Sequence, residues 1–201
     1  MPQNSAMISV TPAACISVAL STLLLPLDWV CAWLIAVAFH ELCHILIVKI
    51  FKCDIYSICF TLSGAAITTE PMTTKQTVIS ALAGPCGGFL LMSTFRWFPQ
   101  LAICGCMQSI YNLLPLAGLD GGRALHTITL YFFPQRKAQR ICKTTDRITR
   151  LVLFVVGLWT AWKLRWFALA IFCIILFISK RHGKIPCKQP VQRVQYEQMY
   201  N

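Results

Sequence analysis

The sequence predicts an all-α polytopic membrane protein, with about six transmembrane helices and one short membrane-associated β-hairpin. Three observations predict it. Hydrophobic residues make up 57% of the 201-residue chain and charged residues only 12%, outside the usual range of water-soluble domains. Apolar stretches near 11–27, 29–51, 77–96, 98–119, 148–163 and 164–180 approach the roughly 20 residues that a spanning helix needs. With the N-terminus in the cytoplasm and six crossings, fifteen of the 18 Lys and Arg residues fall on the cytoplasmic side, and only Arg96, Lys163 and Arg165 fall elsewhere.

Met1–Ser9 lacks the charged n-region and small-residue cleavage site of a secretory signal, so the first apolar stretch is expected to direct insertion. The second stretch carries polar residues in its second half. Between Cys53 and Pro71 the chain is rich in β-branched and aromatic residues, with a Ser63-Gly64 break, and reads as two short strands; a connecting loop is the alternative. An open sheet edge cannot face lipid. The hairpin therefore belongs at the interface or against a cavity, where its edge can pair with an extended peptide. The last two stretches are short and interrupted by Lys163 and Arg165, so Ile148–Ser179 reads either as a tight helical hairpin or as an interfacial excursion. Residues 1–180 form one membrane domain, with its chemistry in 29–125, and 181–201 form a basic cytoplasmic tail expected to be disordered.

Composition also excludes. Of eleven cysteines only Cys104 and Cys106 are close, and there is no C-x-x-C, so a Cys-rich zinc cluster is disfavoured and the thiols read as small buried hydrophobes. The net charge of +11 comes from residues flanking apolar segments, which fits topology and not a nucleic-acid partner. Arg136–Arg150 reads as a solvated cytoplasmic loop, with anionic lipid or an acidic partner as the alternative.

The chemistry starts at His40-Glu41-Leu42-Cys43-His44. On a helix the two histidines share one face, so both imidazoles reach one Zn²⁺, while Glu41 between them addresses a water. As a bare string, H-E-x-x-H arises by chance in about one in a thousand sequences of this composition. Ionisable groups in a transmembrane segment are costly and usually mark function. The alternative is polar packing between helices.

A catalytic zinc needs three protein ligands and an open position. Asp28, Asp54, Glu70, Asp146 and Glu197 lie at segment ends, in loops or in the tail, which leaves Asp120 beside Glu41. Asp120 lies in the run Asn112-Leu113-Leu114-Pro115-Leu116-Ala117-Gly118-Leu119-Asp120-Gly121-Gly122-Arg123, at the expected end of a hydrophobic helix, where Pro115 and the glycines allow the helix to break and turn a carboxylate toward a cavity. A helix C-terminus with Asp-Gly-Gly as its turn is the alternative. Asn112 is a candidate for a hydrogen bond to substrate or oxyanion, with an interhelical contact as its other reading. His126 and His182 read as surface residues, and Cys43 as packing.

His40-Glu41-x-x-His44 together with Asn112-x-x-Pro115-x-x-x-x-Asp120-Gly121 resembles the site-2 protease family of intramembrane zinc metallopeptidases. Ala83-Gly84-Pro85 resembles the family's Ala-Gly-Pro element, and the 53–70 strands sit where the family has its hairpin. The resemblance covers roughly residues 29–125. It implies one Zn²⁺ per chain on His40, His44 and Asp120, Glu41 as catalytic base, and a membrane-tethered protein substrate unwound for cleavage near the cytoplasmic face. Small size and the six-helix layout are most similar to the sporulation-type branch, which implies a sigma-factor precursor or anti-sigma factor as substrate, a bacterial cell membrane, and an inhibitory membrane partner. Two departures stand out. The Asn that often follows three residues after the element's Pro is Gly88 here, and there is no PDZ-like insertion between the motif helices. The competing expectations are a catalytically silent scaffold of the same fold and a metal transporter; the latter usually shows internal repeats, and none are found.

Overall fold

The computed structural model describes residues 7–61 and 64–164. In chain order the elements are β1 (Met7–Val10), α1 (Pro12–Leu24), α2 (Leu27–Ile50), β2 (Ile55–Thr61), β3 (Gly64–Thr69), α3 (Thr74–Leu90), α4 (Pro99–Leu113), α5 (Asp120–Phe132) and α6 (Gln135–Leu164). A 3₁₀ turn, Leu91–Thr94, prolongs α3. The chain is mostly helical, as expected, but it carries a three-stranded sheet and not a lone hairpin.

Local chemistry sets the element ends. Pro26 precedes α2, and beyond its other end Lys52 turns the chain in the left-handed region at φ 55°, with its N–H donating to Lys49 O at 2.9 Å. Thr73 opens α3 with a capping box: its backbone N–H donates to Gln76 Oε1 at 2.9 Å while its hydroxyl accepts from the Gln76 N–H. Pro99 takes the first position of α4, where its missing N–H costs nothing. At the other end Leu114, extended at ψ 137° because Pro115 follows, stops the helix.

Helices α2, α3 and α4 pack on one another, α5 lies against α3, and α6 lies against α5. Their contacts are lined with small buried residues: Ala36 on α2; Ala81, Gly84, Gly87 and Gly88 on α3; Ala102 and Gly105 on α4. Small residues let helix backbones approach closely, the packing that works where lipid removes the hydrophobic drive between helices. The outward side of α2 presents Leu34, Ile35, Leu42, Leu46 and Ile50, while His40, Glu41 and His44 are buried. An apolar exterior around polar interior residues is the reverse of a soluble helix and suits a bilayer.

Of the expected spans, two have the length and apolarity of a crossing helix among the described residues: Leu27–Ile50 and Thr74–Thr94. Helices α1 and α4 are shorter than the apolar stretches assigned to them, at 13 and 15 residues, because Pro26 and Pro115 lie within reach of their ends. One stretch read as loop is helical: Arg136–Arg150 forms the first half of the 30-residue α6, which continues through 148–163 without a break. The expected span at 164–180 and the tail at 181–201 lie outside the described residues.

The sheet has the order β1-β2-β3. Strands β2 and β3 are antiparallel, with Cys59 opposite Ala66 and a bulge near Ile55 and Ser57. Strand β1 pairs in parallel with β2, Met7 opposite Ser57. Strand β3 is thus an edge strand, and it packs on α2.

Candidate metal centre

Helix α2 supplies His40 and His44 one turn apart, their rings edge to face with centroids at 4.9 Å. The Ser80 carbonyl on α3 lies 2.7 Å from His44 Nδ1, so Nδ1 carries the proton and donates to it. In the neutral ring this tautomer turns the lone pair of Nε2 inward. That nitrogen lies 3.2 Å from His40 Nε2 and 3.2 Å from Asp120 Oδ2, and the last two atoms are 3.1 Å apart. His40 Nδ1 is buried and has no hydrogen-bond partner among the described residues, so packing holds that ring.

The three inward atoms form a nearly equilateral triangle of ligand-type donors. With the His44 proton committed to Ser80, a lone pair and a carboxylate oxygen face each other at a distance that repels unless a metal cation or a second ring proton lies between them. A tetrahedral site with bonds of about 2.0–2.1 Å has edges of about 3.3–3.4 Å, close to this triangle. His40, His44 and Asp120 thus fit a metal ion, and they are the group among the described residues with that geometry.

Asp120 is reached differently from expectation. It does not end the preceding helix: α4 stops at Leu113, the chain crosses a six-residue loop, and Asp120 opens α5. A carboxylate in the first turn of a helix lies in the favourable field of that helix's N-terminus. Leu116 and Leu119 anchor the loop by burial, and Gly118 turns it at φ 91°, a region open to glycine. Gly121 and Gly122 bring α5 against the backbone of Leu113 and Leu116, where a methyl group has no room.

Glu41 is buried beside the two histidines, and Asn112, also buried, places Nδ2 3.3 Å from His40 Nε2. Both line a cavity of about 60 Å³, together with the three ligand-type residues, Ser80, and Ile67 and Thr69 of β3. The space suits an ion and water molecules. Two residues of the edge strand are therefore in its wall.

Two glycines explain the helix facing α2. A methyl on Gly84 would run into Nε2 of both His40 and His44, so α3 closes over the rings only because that position is bare. Gly88, the departure from the family's pattern, faces Ser109 and the Gly105 carbonyl of α4, which leave no space for an Asn side chain. Cys43 packs against Gly87. His126 lies away from the centre, lining a second cavity behind the α4–α5 loop, and burial holds its pKa below the ordinary histidine value. His182 lies outside the described residues. The contribution that sequence reasoning missed is the Ser80 carbonyl, a backbone atom with no signature in the side-chain string.

No protein-family profile matches the chain, and no curated protein matches it. Among solved structures it is similar to the site-2 protease from Methanocaldococcus jannaschii, with a TM-score of 0.60 and 18% identity over 82% of each chain. At that identity the likeness is one of fold: this chain folds as that site-2 protease does.

Proposed function

We propose that the chain is a zinc-dependent intramembrane endopeptidase that cleaves a membrane-tethered protein near the cytoplasmic face. The observation that carries the reading is the triangle of His40 Nε2, His44 Nε2 and Asp120 Oδ2, with Glu41 and Asn112 in the same cavity wall. His40, His44 and Asp120 would hold one Zn²⁺. When bound, zinc supplies a Lewis acid that acidifies water and polarises a scissile carbonyl. Glu41 accepts the proton of the attacking water on its carboxylate and delivers it to the leaving amine. The Asn112 amide donates to the oxygen on which negative charge develops.

A helical substrate hides its peptide bonds, so it must be extended for attack. The edge of β3 supports a strand-addition mode, in which backbone hydrogen bonds hold the extended segment while Ile67 and Thr69 keep it beside the centre. Fifteen basic residues assigned to the cytoplasmic side support an inward-facing site; the bacterial cell membrane follows from the sporulation-type resemblance alone. His44 is five residues from Lys49, about 8 Å along the helix, which puts the centre near that face. The sporulation-type resemblance points to a sigma-factor precursor or anti-sigma factor as substrate, under the control of an inhibitory membrane partner.

The test is a cleavage assay with a co-expressed, membrane-tethered reporter, run alongside zinc content per chain. Glu41→Gln should retain zinc and lose cleavage by about 10²–10⁴-fold, the range for general acid–base catalysis. Asp120→Asn should lose both. Cleavage by Glu41→Gln at the wild-type rate would remove the mechanism, and a wild-type chain without stoichiometric zinc would remove the metal site.

A further inference from the structure

Asp146, one of the carboxylates that the sequence places at segment ends, in loops or in the tail, lies on α6 and reaches back 29 residues to the segment that carries Asp120. Its Oδ1 accepts the backbone N–H of Ala117 at 2.9 Å. Arg150, one turn further along α6, donates from Nε to Oδ2 at 2.8 Å and from its terminal nitrogen to Oδ1 at 3.3 Å. The carboxylate is about one-fifth exposed and the guanidinium similarly covered. Behind the loop lies a cavity of about 200 Å³ lined by Pro115, Ala117, Gly122, Cys142, Asp146 and Arg150, among others, so little side-chain mass backs the loop there. The polar link to Asp146 crosses that space.

We propose that Asp146, oriented by Arg150, is a positioning residue that fixes the α4–α5 loop and thereby sets Asp120 against His40 and His44. The proposal rests on the zinc-site reading above. Ala117 is three residues from Asp120, and the intervening Gly118 sits at φ 91° with no side chain to limit its swing. Leu116 and Leu119 hold the loop by burial, which resists withdrawal but fixes direction poorly. A charge-assisted hydrogen bond to the peptide N–H supplies the direction. Groups that hydrogen-bond a metal ligand directly typically change metal affinity by about 10–100-fold when removed; Asp146 acts through the loop backbone instead, and a change within that range is what its positioning role requires. The same short link would give α6 a mechanical hold on the centre, although α6 contributes no residue to its cavity wall.

The experiment measures zinc affinity by chelator competition on the full-length chain in nanodiscs, together with reporter cleavage at limiting and at saturating zinc. Asp146→Ala should weaken zinc binding by about 10–100-fold, with cleavage falling at limiting zinc and recovering when zinc is saturating. Asp146→Asn keeps an acceptor for Ala117 and should fall between wild type and Asp146→Ala. Lys143→Ala, which lines the same cavity without a bond to the loop, should match wild type. Zinc affinity of Asp146→Ala equal to wild type overturns the proposal, as does a cleavage loss that excess zinc does not restore. A wild-type chain that binds no zinc overturns the metalloprotease reading and this inference with it, and is told apart because the failure appears before any substitution.

Discussion

His40, Glu41 and His44 come from one uninterrupted helix pressed against another, whereas Asn112 and Asp120 flank a loop that must be held from outside. On the first side the ligand spacing is fixed by the helical repeat, the His44 tautomer by the Ser80 carbonyl, and the ring positions by the bare surface of Gly84. On the second, Asp120 depends on where α5 begins. That start depends on Pro115, Gly118, close backbone contact at Gly121 and Gly122, and the bond from Ala117 to Asp146. The difference teaches that a metal centre can combine a side whose geometry is set within one pair of packed helices with a side whose geometry is set by a loop backbone and its outside partner.

The largest effect should come from filling the rigid side. Gly84→Val puts branched carbon where both Nε2 atoms lie, and α3 cannot retreat because Gly87 and Gly88 are packed as well; zinc should fall below detection in purified protein and reporter cleavage with it. Wild-type zinc content in that variant would show that α3 is not the wall described. Gly121→Ala tests the other side alone: its methyl meets the Leu113 carbonyl, backbone that cannot turn aside, so α5 must start elsewhere, Asp120 leaves the triangle, and zinc affinity by chelator competition should fall toward that of Asp120→Asn. Wild-type zinc affinity in Gly121→Ala would show that the start of α5 does not set Asp120.

Two smaller effects are expected. Gly88→Asn introduces the residue that the family pattern favours into space held by Ser109 and the Gly105 carbonyl. Overpacking of this kind costs about 1–3 kcal/mol, to be read by thermal unfolding in nanodiscs, with zinc per folded chain unchanged. Thr73→Ala removes the hydroxyl half of the α3 capping box, at about 1 kcal/mol, and should leave cleavage by folded protein at the wild-type rate.

What was legible in the sequence follows the same division. His40, Glu41 and His44 could be read together because the helical repeat alone makes them neighbours, and the two strands of 53–70 were legible from their β-branched and aromatic residues for an equally local reason. Asp120 was legible as a residue and not as a setting. Leu116 and Leu119 look like a continuing apolar helix, and only their burial around Gly118 shows that they anchor a loop. Strand β1 was missed because its partner lies about 50 residues away on β2. The helical start of α6 left a signal that charge obscured: Arg136, Arg140, Lys143, Arg147 and Arg150 recur at spacings of four and three, a helical stripe. Ser80 and Asp146 act through a backbone carbonyl and a backbone amide on other elements, contacts that exist only once the chain has folded.

Helix α2 has one further consequence. Its 24 residues extend about 36 Å, beyond the roughly 30 Å of hydrocarbon in an average bilayer, so the helix accommodates by tilting or by gathering thicker lipid around itself. The side that meets lipid, Leu42, Leu46 and Ile50, and the side that holds His40 and His44 belong to the same rigid rod. In the proposed membrane setting, acyl-chain length would set the depth at which His40 and His44 lie below the headgroups.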